Sequence, residues 1–244
     1  MIWDIHSFAV LETTQDTALI ALRDGRSAGY VVTADEMQSG RGRLGNAWQA
    51  PKGNLYLSLL LRPAAHHAVG DYALLTAVAV AQAVQTFVRN GVAVQLKWPN
   101  DVLVQDQKLS GILIEAQWDG HRCAGLVVGV GINVMNPPSG RAGIAAYTDQ
   151  TVSVTDVRDA FLAALAIQLQ VYEEHGIAPI RDAWLARAWR LHDVIQFRRV
   201  AGEAPVTGTF IDLSPSGNLC LRLSDGTITE MTAGEIIQAA DEMP

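Results

Sequence analysis

The chain has 244 residues, of which 49% are hydrophobic and 18% are charged, and its formal net charge is −7. A chain of this size and composition can bury a sizeable core, which excludes global disorder and fits one large domain with or without a small second one. The acidic charge disfavours general binding of nucleic acid, because attraction to phosphate needs a basic face.

The sequence carries no targeting or membrane signal. Residues 1–6 contain neither a basic region nor the start of a long apolar run, which predicts no signal peptide. The most apolar stretch, residues 72–84, is shorter than a membrane span and predicts a buried helix. Cys123 and Cys220 lie far apart, and the six histidines form no metal-ligand cluster. We therefore expect a cytoplasmic protein with no metal site built from side chains alone.

The first part of the chain mixes helices and adjacent strands, which predicts an α+β domain. Thr13 or Thr14 is the expected N-cap of the first helix, and Asp71 and Gly91 are the expected start and stop of the apolar one. The predicted helices span residues 13–23, 71–90, 155–175 and 179–190. The predicted strands span residues 29–34, 54–62, 94–98, 101–104, 108–118 and 122–134.

Short strands with turn signals between them replace this pattern after about residue 191. They are predicted at residues 194–197, 206–211, 217–223 and 227–231. Regular short strands at this spacing indicate a small β-barrel. We therefore expect two domains, residues 1–190 and residues 191–244.

Residues 38–53 predict a long loop that contains Gly40-Arg-Gly-Arg-Leu-Gly45. The dinucleotide-binding interpretation fails, because no helix follows these glycines and no acidic residue occurs between Met37 and Gly70. The stretch nevertheless carries four cations, Arg41, Arg43, Lys52 and Arg62. Backbone amides of glycines and the guanidinium groups of arginines can bind phosphate oxygens. A solvated surface loop explains the pair Arg41 and Arg43 equally well.

Two further lysines stand near strand breaks. Lys97, Asn100 and Asp101 flank a Pro-Asn turn, which is a usual place for a site but also ordinary turn chemistry. Lys108 begins a strand that contains Gly111, and a strand glycine often marks close approach of a ligand. The alternative for Lys108 is an exposed hairpin lysine.

Gly129 and Gly131 alternate along the last strand of this part, so one face of that strand lacks side chains. This leaves room for a flat ligand or marks a β-bulge. Asn133 follows, where an amide can bind phosphate or cap a turn.

The order of these motifs is more specific than any one of them. Gly40-Arg-Gly-Arg-Leu-Gly45 with Trp48, Lys97-Trp-Pro-Asn-Asp101, Lys108-Leu-Ser-Gly-Ile-Leu-Ile-Glu115 and Gly129-Val-Gly-Ile-Asn133 follow one another along the chain. In this order and spacing they resemble the biotin–protein ligase family. The segment Thr232-Ala-Gly-Glu-Ile236 resembles the end of that family's SH3-like domain.

The resemblance implies a mixed sheet with flanking helices, related to class II aminoacyl-tRNA synthetases, followed by an SH3-like β-barrel. It implies that biotin and ATP react with Mg²⁺ to give biotinoyl-AMP and pyrophosphate, after which a lysine of a biotin carrier domain takes the acyl group. It is compatible with a homodimer. Many members carry an N-terminal DNA-binding domain, whereas this sequence begins at the catalytic part, so we expect no binding of nucleic acid.

The resemblance also implies site residues. Arg43 is expected to contact the reacting carboxylate and the α-phosphate, and Lys108 the biotin carboxylate and phosphate. Asp101 is the candidate base that takes the proton of the acceptor lysine. The other expected contacts to biotin or ATP are Thr13, Thr14, Gln15, Gln38, Gly40, Arg41, Gly42, Trp48, Lys97, Asn100, Gly111, Leu113, Gly131 and Asn133.

One segment and two single residues depart from the family pattern. Glu12-Thr-Thr-Gln15 replaces Asp-Ser-Thr-Asn, Met37 replaces a glutamine, and Asn46 replaces an arginine. Two alternatives stay open: ligation of lipoate or another acyl acid, and a regulator that binds the ligand without transferring it.

Overall fold

The computed structural model describes residues 2–64, 67–199 and 203–237. The helices are α1 (Thr14–Arg23), α2 (Asp71–Gln85), α3 (Val154–His175) and α4 (Ile177–Leu185). The strands of the first sheet are β1 (Asp4–Leu11), β2 (Tyr30–Met37), β3 (Leu55–Leu61), β4 (Val94–Lys97), β5 (Asp101–Val104), β6 (Gln107–Asp119) and β7 (Arg122–Ile132). Those of the second are β8 (Val194–Arg198), β9 (Val206–Leu213), β10 (Leu219–Arg222), β11 (Ile228–Met231) and β12 (Glu235–Ile237).

The first sheet is mixed, as expected. Its strand order is β1-β2-β3-β7-β6-β5-β4, with β1 and β2 parallel and every other pair antiparallel. β3 lies third in this order, and all seven of its residues are buried. Such an apolar strand is typical of a sheet that is covered on both faces.

Alternation along the strands assigns each face to a different set of helices. Leu60 of β3 and Val127 of β7 pack with Ala18 and Leu22 of α1. The neighbouring Leu59 and Val128 belong to the larger core that contains α2 and α3. α1 therefore covers one face of the sheet, and α2 and α3 cover the other.

The second sheet is antiparallel, with the order β11-β10-β9-β8-β12. It docks on the first part through Trp98, whose indole nitrogen donates a hydrogen bond to the carbonyl of Gly217 (3.0 Å) and whose ring packs on Phe197. Trp184 of α4 contacts Phe210. The predicted small β domain is therefore an antiparallel sheet attached to α4 and to the end of β4.

Two strands were not predicted. β1 carries exposed Phe8 and Val10 on the outer edge of the sheet and shows no clear apolar–polar alternation. Parallel pairing with β2 forms it, and this is a long-range contact that local pattern does not encode. β12 has three residues and forms by pairing with β8.

Both predicted ends of α2 and both predicted ends of α4 were wrong. Gly70 is the N-cap of α2, and Asp71 instead accepts a hydrogen bond from the phenol of Tyr172. α2 ends at Gln85, not at residue 90. α4 begins at Ile177 and ends at Leu185, because the backbone at residues 187–189 turns away to pair with Leu96. The predicted cap at Thr13 is confirmed, since its hydroxyl accepts from the amide of Asp16.

Candidate functional site

A cleft of about 640 Å³ lies on the sheet face that α1 covers, beyond the N-terminus of that helix. Tyr56 and Ser58 on β3, and Gly129 and Gly131 on β7, share this face with the residues under α1. The predicted site residues that line it are Thr13, Thr14, Gln15, Arg41, Gly42, Arg43, Trp48, Lys97, Asn100, Asp101, Lys108, Gly111, Leu113, Gly131 and Asn133.

Gln38 and Gly40, two of the expected contacts, are not among the residues that line the cleft. Met37 at the end of β2 does line it, whereas Gln38, in the bend that follows the strand, is exposed. Gly40 is buried against the carbonyl of Trp48, where a β-carbon would collide with that oxygen. Its role is to permit the fold of the loop.

The glycine loop forms a small hairpin over the cleft. The amide of Gly42 donates to the carbonyl of Asn46 (2.7 Å), and the amide of Trp48 donates to the carbonyl of Gly40 (2.8 Å). At the turn, Leu44 adopts a positive φ of 55°. The hairpin directs Arg43 and Trp48 into the cleft.

The three strand glycines form a floor. Gly111 of β6 pairs with Gly131 of β7, and Gly129 pairs with Leu113. The Trp48 indole lies on this floor, 2.6–2.8 Å from where β-carbons at Gly111 and Gly131 would stand, and the Gln15 amide lies over Gly129. A side chain at any of the three positions would therefore displace Gln15 or Trp48.

A buried polar group adjoins the floor. The hydroxyls of Thr14 and Ser58 are 2.9 Å apart, and Ser58 donates to the amide oxygen of Gln15 (2.9 Å). The amide and hydroxyl of Thr14 also approach the Met37 sulfur at 3.4 and 3.7 Å. These hydroxyl and amide groups can bind the polar head of an otherwise apolar ligand.

Lys108 and Arg43 are fixed by neighbouring polar groups. The Lys108 ammonium lies 2.7 Å from an Asp101 carboxylate oxygen. The Arg43 guanidinium donates to the Asn100 side-chain oxygen (3.1 Å), and the Asn100 amide in turn donates to the carbonyl of Ile112 (2.7 Å). Lys108 is thus an ion-paired residue of the cleft and not an exposed hairpin lysine.

Burial lowers the pKa of Arg43, and the nearby carboxylates of Asp101 and Glu235 oppose this shift. A guanidinium keeps its charge even so. Because it has lost part of its hydration, an anion that enters the cleft gains more from pairing with it than with an exposed arginine.

The cleft is cationic in an acidic protein. Five cations and two carboxylates line it among the described residues: Arg41, Arg43, Lys97, Lys108 and Arg141, with Asp101 and Glu235. Apart from Asp101 Oδ1, which is ion-paired with Lys108, two buried polar atoms of lining residues have no hydrogen-bond partner within the described part of the chain: Trp48 Nε1 and Asn133 Oδ1. Both are suited to contact a ligand.

Sequence reasoning missed Ser58, Arg141 and Glu235, which also line the cleft. Ser58 is the one polar residue in the buried run of β3, and that is a signal that could have identified it. Glu235 lies on β12, and only the docking of the second sheet brings it to the cleft.

Comparison with known proteins identifies the family. Residues 7–133 match the model of the biotin/lipoate A/B protein ligase family, and residues 195–237 match that of the biotin protein ligase C-terminal domain. The biotin--[acetyl-CoA-carboxylase] ligase of Paracoccus denitrificans is 33% identical over 225 residues, which cover 87% of this chain and 93% of that protein. The chain belongs to the biotin/lipoate ligase family.

Other members support this family assignment. The biotin--[acetyl-CoA-carboxylase] ligase of Mycobacterium tuberculosis is 31% identical over 86% of this chain and 79% of its own length. The structure of the biotin protein ligase of Aquifex aeolicus in complex with biotin and ATP superimposes with a TM-score of 0.81 at 27% identity, covering 96% of this chain and 97% of that one. The biotin ligase fold, with its mixed sheet and C-terminal β domain, is therefore confirmed.

Two further findings concern membranes and metals. None of the helices in the described residues is long and apolar enough to cross a bilayer. Over the same part of the chain, no three side chains of histidine, cysteine, aspartate or glutamate come together as metal ligands.

Proposed function

We propose that this biotin/lipoate ligase family member activates biotin with ATP and transfers the biotinoyl group to a lysine of a biotin carrier domain. One observation carries the proposal: a single cleft joins a buried hydroxyl–amide group, a glycine floor and five cations. A small acid with a polar head and a nucleotide polyphosphate require those three environments side by side. The relatives named above support biotin as the acid.

The first step forms a mixed anhydride between the acid and AMP, with pyrophosphate as the leaving group. It brings a carboxylate against a phosphate, so fixed cations must offset the repulsion of two anions. We assign this role to Arg43 and Lys108. Lys108 pairs with Asp101 at 2.7 Å and can exchange that partner for the incoming carboxylate.

In the second step the amine of the carrier lysine attacks the acyl carbon, and AMP leaves. The attacking amine must lose a proton. Asp101 is the candidate base, since the exchange of Lys108 to the substrate leaves the Asp101 carboxylate available.

We assign the remaining lining residues by their surroundings. Thr14 and Gln15, with Ser58, are proposed to hold the ureido head of biotin, while Gly111 and Leu113 lie along its ring and chain. Asn133, Lys97 and Asn100 are proposed to contact the nucleotide. Thr13, Arg41, Gly42, Trp48 and Gly131 complete the biotin and ATP surfaces.

Magnesium is proposed to enter with ATP. Mg²⁺ retains several waters and binds through substrate phosphates together with one or two carboxylates. A cluster of protein ligands is therefore not needed, and Glu235 is a carboxylate of the cleft that could complete the coordination.

We further propose that residues 1–190 form the catalytic domain and residues 191–244 a C-terminal domain that contributes to the same cleft. Gly234 and Glu235 are the lining residues from the C-terminal part.

Pyrophosphate release tests the proposal. The purified chain with ATP and Mg²⁺ should release pyrophosphate when biotin is added, and much less with lipoate or octanoate. A faster response to lipoate would assign the chain to lipoate ligation instead. No response to any acid, together with measurable biotin binding, would indicate a ligand-binding regulator.

A further inference from the structure

Lys97 ends β4 and lines the cleft, and its ammonium group lies 5.4 Å from the centroid of the Trp189 ring. Trp189 does not line the cleft and is only 4% exposed. It lies between α4 and β8, in the segment that leads to the second sheet. An ammonium at this distance from an indole face is attracted by the ring's negative face.

The Trp189 ring is fixed relative to β4 by backbone and side-chain contacts. Its amide donates to the carbonyl of Leu96 (2.8 Å), and the Leu96 amide donates to the carbonyl of Arg187 (2.8 Å). Its indole nitrogen donates to an Asp106 carboxylate oxygen (2.7 Å) in the β5–β6 turn. Since Leu96 directly precedes Lys97, the ring and the lysine backbone belong to one rigid unit.

We propose that Trp189 is a positioning residue that holds the Lys97 ammonium in the cleft for the nucleotide. The inference rests on the proposed function, because it presumes that a polyphosphate binds there. A lysine has a flexible four-carbon stem, so an unrestrained ammonium would sample many positions. The indole face contributes to restricting that freedom without touching the substrate.

A double-mutant cycle on kcat/KM for ATP tests this. Trp189→Leu should lower kcat/KM by about 5- to 30-fold, the range expected for loss of a cation–π contact that is partly desolvated. In a Lys97→Met background the same substitution should lower it by less than about twofold, because the group it positions is gone. Trp189→Phe keeps a ring face and should retain more activity than Trp189→Leu.

Trp184→Leu is the matched control. Trp184 is a second buried tryptophan, packs on Phe210 and lies outside the cleft. Trp184→Leu should change kcat/KM for ATP by the same factor in the wild-type and Lys97→Met backgrounds. Trp189→Leu should have a smaller effect in the Lys97→Met background. If Trp189→Leu fails to fold, Trp189→Met, with a flexible apolar side chain, takes its place in the cycle.

The proposal is overturned if the substitution at Trp189 has equal effects in both backgrounds, or no effect with Lys97 present. Titration calorimetry of ATP with the wild type, Trp189→Leu, Lys97→Met and the double variant tests the role of Trp189 independently of the proposed function. If the wild type binds ATP but releases no pyrophosphate with any acid, the proposed function fails, and the cycle on the ATP dissociation constant still decides the role of Trp189.

Discussion

At the residue scale, the charged groups of Arg43 and Lys108 are each positioned in the cleft by a neighbouring polar side chain. Arg43 is partly stripped of water and hydrogen-bonds to Asn100, and Lys108 is paired with Asp101. Groups fixed in this way need little reorganisation when charge develops during a reaction. Substitution of one such residue should therefore affect the chemical step more than the stability of the fold.

Arg43→Ala should slow biotin-dependent pyrophosphate release by roughly 100-fold or more at saturating biotin and ATP, as for loss of other fixed charge stabilisers. Lys52→Ala is the control, because Lys52 belongs to the same cationic stretch but is exposed and outside the cleft. Equal rates for the two variants would exclude Arg43 from this step.

Met37→Gln should tighten binding of biotin by about 2- to 12-fold, the range expected for one added neutral hydrogen bond. The Met37 sulfur accepts only weakly from Thr14, and a glutamine of similar length would add an amide donor and a stronger acceptor there. Titration calorimetry measures the affinity, with Met37→Leu as the apolar control. Unchanged affinity in Met37→Gln would mean that Ser58 and Gln15 already satisfy the ligand head.

At the element scale, the glycine-loop hairpin is attached weakly. Arg41 forms ion pairs with Asp16 and Glu115, but these side chains are between 36% and 47% exposed, and exposed pairs contribute little. The far end is firmer, because Tyr56 is buried and its phenol donates a hydrogen bond to the carbonyl of Pro51 (2.7 Å). We therefore expect the hairpin to open and close about this anchored end.

Tryptic cleavage near Arg41 and Arg43 should slow several-fold when biotin and ATP are added together, because the ligand would hold the hairpin closed. Cleavage at Arg122, which is exposed at the start of β7 beside the β6–β7 turn, should not change and serves as the internal control. Equal cleavage near Arg41 with and without ligands would contradict closure.

The contact between α2 and α3 predicts a pH dependence of stability. Burial raises the pKa of Asp71, although hydrogen bonding from Tyr172 acts in the opposite direction. A carboxyl whose pKa is higher when folded stabilises the protein fully below its unfolded pKa of about 4, and loses that contribution as pH rises through the folded value. Asp71→Asn should therefore gain melting temperature over the wild type as pH rises above about 4.

Thermal unfolding of both proteins between pH 4 and pH 8 measures this difference. Asp182→Asn, at an exposed carboxylate of α4, is the control and should follow the wild type at every pH. A melting difference for Asp71→Asn that stays constant over the range would contradict the raised pKa.

Individual residues and elements show which parts of the structure could be predicted from the sequence. The alternation of Gly129 and Gly131 predicted a strand face without side chains, and local chemistry narrowed the cap of the first helix to Thr13 or Thr14. β1 and Glu235 were missed, because each takes its place only through pairing with or docking on residues far away in the chain. The surroundings of Gln38 could not be predicted, because it follows the end of β2 in a bend, where strand alternation no longer sets the direction of a side chain.

At the scale of the whole molecule, the cleft depends on both sheets. Trp98, within the Lys97–Asp101 motif, donates a hydrogen bond to Gly217 and packs on Phe197, while Gly234 and Glu235 reach the cleft from the second sheet. The motif that carries three expected site residues, Lys97, Asn100 and Asp101, thus also anchors the C-terminal sheet. A substitution in the second sheet is therefore expected to alter the cleft even when the residues of the first sheet are unchanged.

Transfer of labelled biotin tests the central claim most directly. The purified chain is incubated with labelled biotin, ATP, Mg²⁺ and a biotin carrier domain, and the carrier is examined for covalent label. We predict labelled carrier that depends on ATP, is lost when the acceptor lysine is replaced, and falls by roughly 100-fold or more with Arg43→Ala. A carrier that stays unlabelled while the chain binds biotin and ATP would contradict the account.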